Sequence, residues 1–122
     1  MTQAVANINE IQSALGKEWT DLRSYIREIL DSEIGLLNRI NEHLFLSSGK
    51  MLRPLLSLLV SRACGANDPS TSLVCAAASE MIHTATLLHD DVVDESSYRR
   101  GKITVNALFS PGASLLMGDF WL

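Results

Sequence analysis

Apolar side chains recur every three or four positions along the first thirty residues of this chain. They are Val5, Ile8, Ile11, Leu15, Trp19, Leu22, Ile26 and Ile29. Because an α-helix turns once in about 3.6 residues, this spacing places them on one face. The pattern predicts a long amphipathic first helix, weakened at Gly16, with a break at Gly35.

The same spacing continues through two shorter segments. The second segment runs to the polar turn Ser47-Ser48-Gly49, and its apolar positions are Leu36, Leu37, Ile40, Leu44 and Phe45. A third helix follows, with Pro54 in its first turn, a body over 55–63 and a stop at Gly65.

A fourth helix is predicted from its capping residues onward. Asp68 is suited to the N-cap and Pro69 to the first helical position. Its apolar positions are Leu73, Val74, Ala77, Met81 and Leu88. Beyond it, 96–102 reads as a polar loop, 104–109 as a short helix and Ser110-Pro111 as the start of another. Since no strand pattern and no repeat is visible, the sequence predicts an all-α fold and a single, truncated helical domain over 1–122.

The C-terminal segment has an unusual composition. Residues 103–122 carry one charged side chain, Asp119, and end on Phe120-Trp121-Leu122 without a glycine or asparagine cap. Either this tail folds back into its own core, or its large side chains expose an apolar patch. We favour the second arrangement, in which a continuation of the helix or another subunit covers the patch.

Composition excludes several classes of protein. The chain has 122 residues, of which 47% are hydrophobic and 20% charged, and this is typical of one soluble globular unit. A net charge of -4 offers no general attraction to nucleic acid or to an anionic membrane. No apolar run is long enough for a membrane span, and the N-terminus lacks the features of a signal peptide, so we expect a cytoplasmic protein. Cys64 and Cys75 belong to no close-spaced pair and are predicted to be buried, reduced thiols.

Candidate chemistry is concentrated in the string Leu87-Leu88-His89-Asp90-Asp91-Val92-Val93-Asp94. Asp90 and Asp94 lie one helical turn apart and share a face. Two carboxylates on one face of an apolar helix repel each other, so a cation normally lies between them. Hard oxygen ligands favour magnesium, which keeps several waters and is usually shared with substrate phosphates. The string therefore predicts a magnesium-dependent phosphate-ester site.

Three further groups could assist such a site. His83 lies seven residues before Asp90 on the same helix face. Lys50 and Arg53 lie at the entry to the third helix, where free backbone N–H groups favour an anion. The string Arg99-Arg100-Gly101-Lys102 follows the carboxylates, and guanidinium groups suit bidentate phosphate recognition. Each group alone is typical of a core histidine or solvated charge, but the set favours anion binding.

These strings resemble a known family. Gly49-Lys50-Met51-Leu52-Arg53-Pro54, then Ile82 through Ser96 around the aspartates, then Arg99 to Lys102 are similar to the N-terminal half of trans-type polyprenyl diphosphate synthases. The similarity covers 49–122 closely and the first fifty residues only in general character. Class I terpene cyclases also carry an aspartate-rich pentad, but the flanking basic groups indicate a chain-elongating, long-chain enzyme. The resemblance implies the N-terminal helices of an isoprenoid-synthase-like bundle.

The resemblance also implies a reaction and residue roles. The enzyme would be a prenyltransferase that condenses isopentenyl diphosphate with an allylic diphosphate, with Mg²⁺ as cofactor and a homodimer as its assembly. Asp90 and Asp94 would hold magnesium against the allylic diphosphate, Asp91 would tune that shell, and Arg99 would contact the same diphosphate. Isopentenyl diphosphate would be bound by four side chains: Lys50, Arg53, His83 and Arg100.

Product length in this family is set by side chains just before the first aspartate. Ala85 and Thr86 occupy those positions and are small, so the resemblance implies a long product of octaprenyl class, the kind used as a quinone side chain. We expect the 122-residue chain alone to be inactive. The family's second aspartate-rich motif is not present after Asp94, where the acids are Glu95 and Asp119. Met51 also departs from the pattern, because relatives often carry a basic residue there.

Two other functions stay open at this point. The chain could be a non-catalytic partner subunit of a prenyl synthase. It could also be a metal-dependent phosphohydrolase of the histidine-aspartate doublet type, as His89-Asp90 with nearby His83 suggests. Geometry disfavours the phosphohydrolase, because two histidines six residues apart are separated by about 120° around a helix.

Overall fold

A computed structural model describes residues 7–122, so Val5 of the predicted first stripe lies outside the described residues. The helices are α1 Ile8–Leu15, α2 Lys17–Leu30, α3 Gly35–Ser47, α4 Leu52–Ala63, α5 Pro69–Val93, α6 Val105–Leu108 and α7 Pro111–Trp121. Between α5 and α6 lies a hairpin of two short antiparallel strands, β1 Tyr98–Arg99 and β2 Lys102–Ile103. The prediction of an all-α fold is confirmed, with this hairpin as a small addition.

The first apolar stripe is confirmed, but the helix that carries it is divided. Gly16 has a φ of 59° and separates α1 from α2. The stripe's last position is wrong: Ile29 is 45% exposed, whereas Leu30 is only 2% exposed. Two successive steps of four residues from Leu22 carry the buried face to Leu30, and they turn Ile29 toward solvent.

The predicted ends of the middle helices are confirmed. Ser47 ends α3, and Pro54 lies in the first turn of α4. The Asp68 side chain accepts a hydrogen bond from the Ser70 N–H at 3.0 Å, and hydrogen bonds from Ser70 and Thr71 lower the Asp68 pKa to about 2. No single helix within 7–122 is long and apolar enough to cross a membrane. Taken together, α3 and α4 have the length and apolar composition of a membrane span, but the two helices meet at a bend of 73°.

The core lies around α5, which packs against α7, α4 and α2. Each of the helices α1 to α7 contributes buried apolar side chains to the core, among them Leu22, Leu58, Ala77, Leu88 and Met117. The cysteine prediction is half wrong: Cys64 and Cys75 are free, but both are exposed. Cys64 lies in the cap after α4, and Cys75 lies on the solvent side of α5, so neither reaches the core.

The hairpin corrects the prediction of a polar loop over 96–102. Its register pairs Tyr98 with Ile103 and Arg99 with Lys102. Arg100 and Gly101 form the turn, with φ values of 53° and 75°. Positive φ at both central residues is the signature of a type I′ turn, for which glycine is favoured. Strands of two residues are too short to produce an alternating pattern, so no strand could be predicted here.

The C-terminal segment combines both arrangements considered for it. Trp121 folds back: it is 4% exposed, and its Nε1 donates to Asn41 Oδ1 at 2.9 Å. Asn41 is itself buried and donates from Nδ2 to the Leu30 carbonyl oxygen at 2.9 Å. The neighbouring apolar side chains are exposed, namely Leu115, Leu116 and Phe120 on α7 and Leu122 directly after it. The expected apolar patch is therefore present beside a folded-back tryptophan.

Candidate functional site

A cleft of ≈ 120 Å³ lies between α5, the hairpin, the loop before α4, and the walls formed by α2 and α3. Most of its charged lining is cationic. The basic side chains and histidines are Arg23, Arg27, His43, His83, Arg99, Arg100 and Lys102. Against them stand two acids, Glu80 and Asp91. A low-dielectric cleft with this imbalance concentrates anions, which agrees with the predicted class of ligand.

Asp91 and Arg99 form the best-defined ion pair of the cleft. Asp91 is 5% exposed, and its Oδ1 accepts from Arg99 Nε at 3.1 Å and from Nη2 at 2.6 Å. The hydrogen bond to Asp91 is the main reason why the Arg99 pKa is raised. Asp91 therefore points inward and holds the guanidinium of the hairpin's first strand against the end of α5.

Asp90 and Asp94 are exposed, in contrast to Asp91. Asp94 caps α5 in a helical conformation, and its N–H donates to the Asp90 carbonyl oxygen at 2.8 Å. Both carboxylates contribute electrostatically, after Asp91, to the raised pKa of Arg99. The structure therefore places Arg99 in contact with Asp91 and within electrostatic reach of Asp90 and Asp94.

These donors suit a shared magnesium ion better than an enclosed one. Within residues 7–122, no group of three histidine, cysteine or acidic side chains could surround a metal. Magnesium is usually held by one or two carboxylates together with waters and substrate phosphates. Asp90 and Asp94 supply hard oxygen ligands at an open surface, and this donor set fits that mode of binding.

The two basic clusters meet at the tip of the hairpin. A Cβ atom at Gly49 would overlap Nη1 of Arg100, so the guanidinium lies directly on the glycine backbone. Any side chain at this position would displace the flexible end of Arg100. Arg53, at the start of α4, is near enough to act electrostatically on His83 and on Glu80. The structure therefore brings Gly49, Arg53, His83 and Arg100 together.

Lys50 is placed differently from His83, Arg99 and Arg100, which line the cleft. It lines a neighbouring depression near Trp19, outside the cationic cleft, and its carbonyl oxygen accepts from Gln12 Nε2 at 3.2 Å. The left-handed conformation of Met51, with φ of 52°, sends the chain from this depression into α4. Sequence spacing alone could not show that Lys50 lies outside the cleft.

Glu80 is a residue of the cleft that the sequence analysis missed. It is 9% exposed and lies one turn before His83 on α5. Burial raises its pKa, and the nearby Arg53 and Arg100 partly oppose that rise. Burial, followed by Arg53, Arg100 and Arg99, lowers the pKa of His83 and so favours a neutral imidazole. One feature of the sequence could have predicted this position of Glu80: it lies three residues before His83, which places both side chains on one face of the helix.

Glu80 leads to a prediction about stability and pH. Because its pKa in the folded protein is raised above 4.5, the folded state binds this proton more tightly than the unfolded state does. The resulting stability is fully present below the unfolded pKa and is lost as the pH rises through the folded pKa. We expect Glu80→Gln to weaken the dependence of Tm on pH in this range and to raise the Tm near neutral pH. Thermal unfolding followed by circular dichroism at several pH values measures both effects.

The matched control for Glu80→Gln is Glu95→Gln, which removes the same charge from an exposed position. It should leave the profile of Tm against pH close to that of the parent chain. Identical profiles for Glu80→Gln and Glu95→Gln would contradict the assignment of this pH dependence to the buried carboxyl.

His89 lies on a different face of α5 from His83. Its Nε2 is 3.2 Å from the Leu115 carbonyl oxygen and 3.2 Å from Asp119 Oδ1. A Cβ atom at Gly118 would overlap the imidazole, so α7 packs closely on it. Since His83 lines the cleft and His89 contacts α7, the two do not converge on one metal. The ligand set of the phosphohydrolase alternative is not assembled.

The two positions predicted to control product length differ in burial. Ala85 is 0% exposed, and its carbonyl oxygen would lie 3.2 Å from a Cβ atom at Gly118 of α7. Thr86 is exposed, and its hydroxyl donates to the His83 carbonyl oxygen at 2.7 Å. A larger side chain would therefore meet α7 at position 85, whereas at position 86 it has free space.

The fold and the cationic cleft define a class of protein when they are compared with known families. The polyprenyl synthetase family model matches residues 34–122, which is more than half of the chain. The chain belongs to the polyprenyl synthetase family. The resemblance found in the sequence is thereby confirmed.

Two curated relatives show which members of the family the chain is similar to. It is 42% identical over 114 residues to octaprenyl diphosphate synthase of Escherichia coli, with 93% of this chain and 35% of the relative covered. It is 38% identical over 111 residues to the geranyl-diphosphate-specific all-trans-nonaprenyl-diphosphate synthase of Rhodobacter capsulatus, with 91% and 34% covered. The chain thus spans about a third of the length of these long-chain synthases.

Solved structures agree with the predicted bundle. A decaprenyl diphosphate synthase from Rhodobacter capsulatus matches with a TM-score of 0.87 and 40% identity, over 94% of this chain and 35% of that one. A polyprenyl synthase from Caulobacter crescentus, complexed with calcium and isoprenyl diphosphate, matches with a TM-score of 0.87 and 34% identity, over 98% and 36%. The isoprenoid-synthase-like fold, represented by its first helices, is confirmed.

Proposed function

We propose that this chain forms the N-terminal part of a helical prenyltransferase domain that condenses isopentenyl diphosphate with an allylic diphosphate to make a long-chain polyprenyl diphosphate. The observation that carries this proposal is the meeting of two basic clusters with the aspartate-rich end of α5. Arg99 lies beside Asp91, and Arg100 lies on Gly49, within one cationic cleft. Family membership and the long-chain relatives support the same reaction.

The allylic diphosphate would bind at Asp90, Asp94 and Arg99. The two exposed carboxylates would hold Mg²⁺, which supplies positive charge to the departing diphosphate when bound. The Caulobacter crescentus neighbour, which carries calcium and isoprenyl diphosphate, supports a divalent ion in this role. Asp91 keeps Arg99 in place through its two hydrogen bonds, so the guanidinium needs little reorganisation when the ligand arrives.

The isopentenyl diphosphate would bind at Arg53, His83 and Arg100, and Lys50, which lines the adjoining depression, would turn toward the bound anion. A neutral His83 would donate or accept a hydrogen bond without adding charge, in agreement with its lowered pKa. The fixed charges of the arginines would stabilise the diphosphate anions, the allylic C–O bond would ionise, and the isopentenyl double bond would attack the allylic cation before a proton is lost. Apolar side chains such as Leu87 and Leu88 at the cleft would exclude water from the cation.

Assembly and cellular location complete the proposal. The exposed apolar side chains of α7, Leu115, Leu116, Phe120 and Leu122, would form a contact between two copies in a cytoplasmic homodimer. The same patch is also what a non-catalytic partner subunit would use, so a condensation assay separates the two functions.

The test uses the chain joined after Leu122 to the remaining C-terminal part of the Escherichia coli octaprenyl diphosphate synthase. We expect this chimera to convert labelled isopentenyl diphosphate and an allylic diphosphate into long polyprenyl diphosphates, in a reaction that requires Mg²⁺. We expect no turnover by the 122-residue chain alone, whose sequence lacks a second aspartate-rich motif after Asp94. A folded chimera without condensation activity would contradict the proposed function, and turnover by the short chain would contradict the expected inactivity.

Product length provides a separate prediction. In the active chimera, Thr86→Phe should shorten the product, because an exposed side chain at this position can enlarge without disturbing α7. Ala85→Phe should also shorten it, but with a loss of stability, because Ala85 is fully buried. Thr86→Val is the matched control, and mass spectrometry of the product ladder is the measurement. An unchanged ladder for Thr86→Phe would contradict the assignment of these two positions.

A further inference from the structure

We propose that Thr104 and Asn106 are positioning residues that hold the turn after α5, so that Asp94 and Arg99 keep their places beside Asp90. This inference rests on the proposed function, because it takes these three side chains as the group that binds metal and diphosphate. The supporting observations are the backbone conformation of the turn and the contacts that α6 makes with it.

The turn after α5 has an uncommon residue at its key position. Glu95 has a φ of 53°, a left-handed conformation that glycine usually adopts at the end of a helix. The Ser96 N–H donates to the Asp91 carbonyl oxygen at 2.9 Å, and the Glu95 N–H donates to the Val92 carbonyl oxygen at 3.2 Å. These two bonds define a Schellman motif. Because a side chain is disfavoured in this conformation, contacts from outside the turn must help to maintain it.

Thr104 supplies the first of these contacts. It is 5% exposed, and its hydroxyl donates to the Ser96 carbonyl oxygen at 2.8 Å. The Thr104 hydroxyl oxygen also accepts a hydrogen bond from the Ala107 N–H at 3.2 Å and so caps α6. The Thr104 N–H donates to the Ser97 carbonyl oxygen at 3.0 Å. One residue therefore fixes the start of α6 to both serines of the turn.

Asn106 supplies the second contact. Its Nδ2 donates to the Asp91 carbonyl oxygen at 3.3 Å and to the Ser96 carbonyl oxygen at 3.5 Å. Its Oδ1 is buried and has no hydrogen-bond partner within the described part of the chain. An unpaired buried acceptor lowers stability, so an apolar side chain would be favoured at position 106 if packing were its only role. The amide is explained by its contact with the two carbonyl groups that flank Asp94.

The contacts converge on the residues proposed to bind diphosphate. Asp94 lies between the two carbonyl groups that Asn106 holds, and Arg99 follows Ser96 by three residues. If the turn loosens, Asp94 and Arg99 move relative to Asp90, which stays on the helix. Outer contacts of this kind are worth about 10–100-fold in metal affinity.

Two measurements on the chimera, which restores the part of the domain that the 122-residue chain lacks, test the proposal. Amide hydrogen exchange of Glu95 and Ser96 reports the turn itself, and calorimetric titration with Mg²⁺ and inorganic diphosphate reports the site. The variants are Thr104→Val, which keeps the shape but loses the hydroxyl, Thr104→Ser, which keeps the hydroxyl, and Asn106→Ala. Ser110→Ala is the matched control, because the Ser110 hydroxyl accepts from the Ala113 N–H at 3.0 Å and caps α7 away from this turn.

We expect Thr104→Val and Asn106→Ala to exchange the Ser96 amide at least about tenfold faster and to bind magnesium diphosphate about tenfold more weakly. Thr104→Ser should restore both properties, and Ser110→Ala should change neither of them. If Thr104→Val and Asn106→Ala bind magnesium diphosphate as tightly as the parent chimera, the proposal is overturned. If the parent chimera binds none while both variants still loosen Ser96, the contacts on the turn stand and the proposed function fails.

Discussion

Replacing Asp90 or Asp94 by asparagine lowers the condensation rate of the active chimera by about 10²–10³-fold, the loss expected when one group that stabilises developing charge is removed. Both side chains are exposed, so neither substitution should disturb the core. The amide keeps the shape of the carboxylate and removes its negative charge, and the Mg²⁺ concentration at half-maximal activity should therefore rise. Steady-state kinetics across a magnesium titration measures both effects.

Two neighbouring acids serve as controls for this prediction. Glu95→Gln removes an exposed charge one residue after Asp94 and should leave kcat nearly unchanged. Asp91→Asn should act differently, because the Asp91 carboxylate is 5% exposed and holds Arg99. We expect it to lower the free energy of unfolding as well as the rate. Equal losses of rate for Glu95→Gln and Asp94→Asn would refute a specific role for the aspartates.

Trp121→Ala destabilises the chain by about 3–5 kcal/mol, the usual cost of removing a large aromatic side chain from a core. Trp121 is 4% exposed and packs against Phe45 of α3, with 6.0 Å between the centroids of the two rings. Its removal leaves a cavity and takes the hydrogen-bond donor away from buried Asn41. Urea denaturation followed by circular dichroism measures the free energy of unfolding.

The adjacent residue gives a matched comparison for this prediction. Phe120 is 40% exposed in this chain, so Phe120→Ala should cost far less than Trp121→Ala. Trp121→Phe retains most of the packing but leaves the Asn41 acceptor unpaired, and should cost about 1–3 kcal/mol. Similar midpoints for the Phe120 and Trp121 alanine variants would show that the tryptophan does not anchor α7.

Much of the helical framework could be predicted because its signals are local. Asp68, Pro69, Ser110 and Pro111 act within one turn of their own helices, so caps and first positions can be read from neighbouring residues. The family resemblance was equally accessible, because its motifs are short and contiguous in the sequence.

The rest depends on residues that are far apart in the chain. No spacing rule shows that the Arg100 guanidinium lies on Gly49, that Lys50 lines a different depression, or that Ala85 is packed against Gly118. The sequence could show that Asp91 belongs to the acidic string, but its burial and its pairing with Arg99 depend on the hairpin, whose strands are too short to predict. The choice between Ile29 and Leu30 likewise depended on which helices cover α2.

The two-residue turn at Arg100 and Gly101 requires a definite number of residues in the hairpin. Substitutions do not test this requirement, because they leave the length unchanged. Side chains of a strand alternate between its two sides. A single residue inserted between Tyr98 and the turn would therefore change which side chain faces Asp91, and the two arginines would exchange neighbours. Insertions and deletions in this segment are therefore expected to be tolerated far less than point changes.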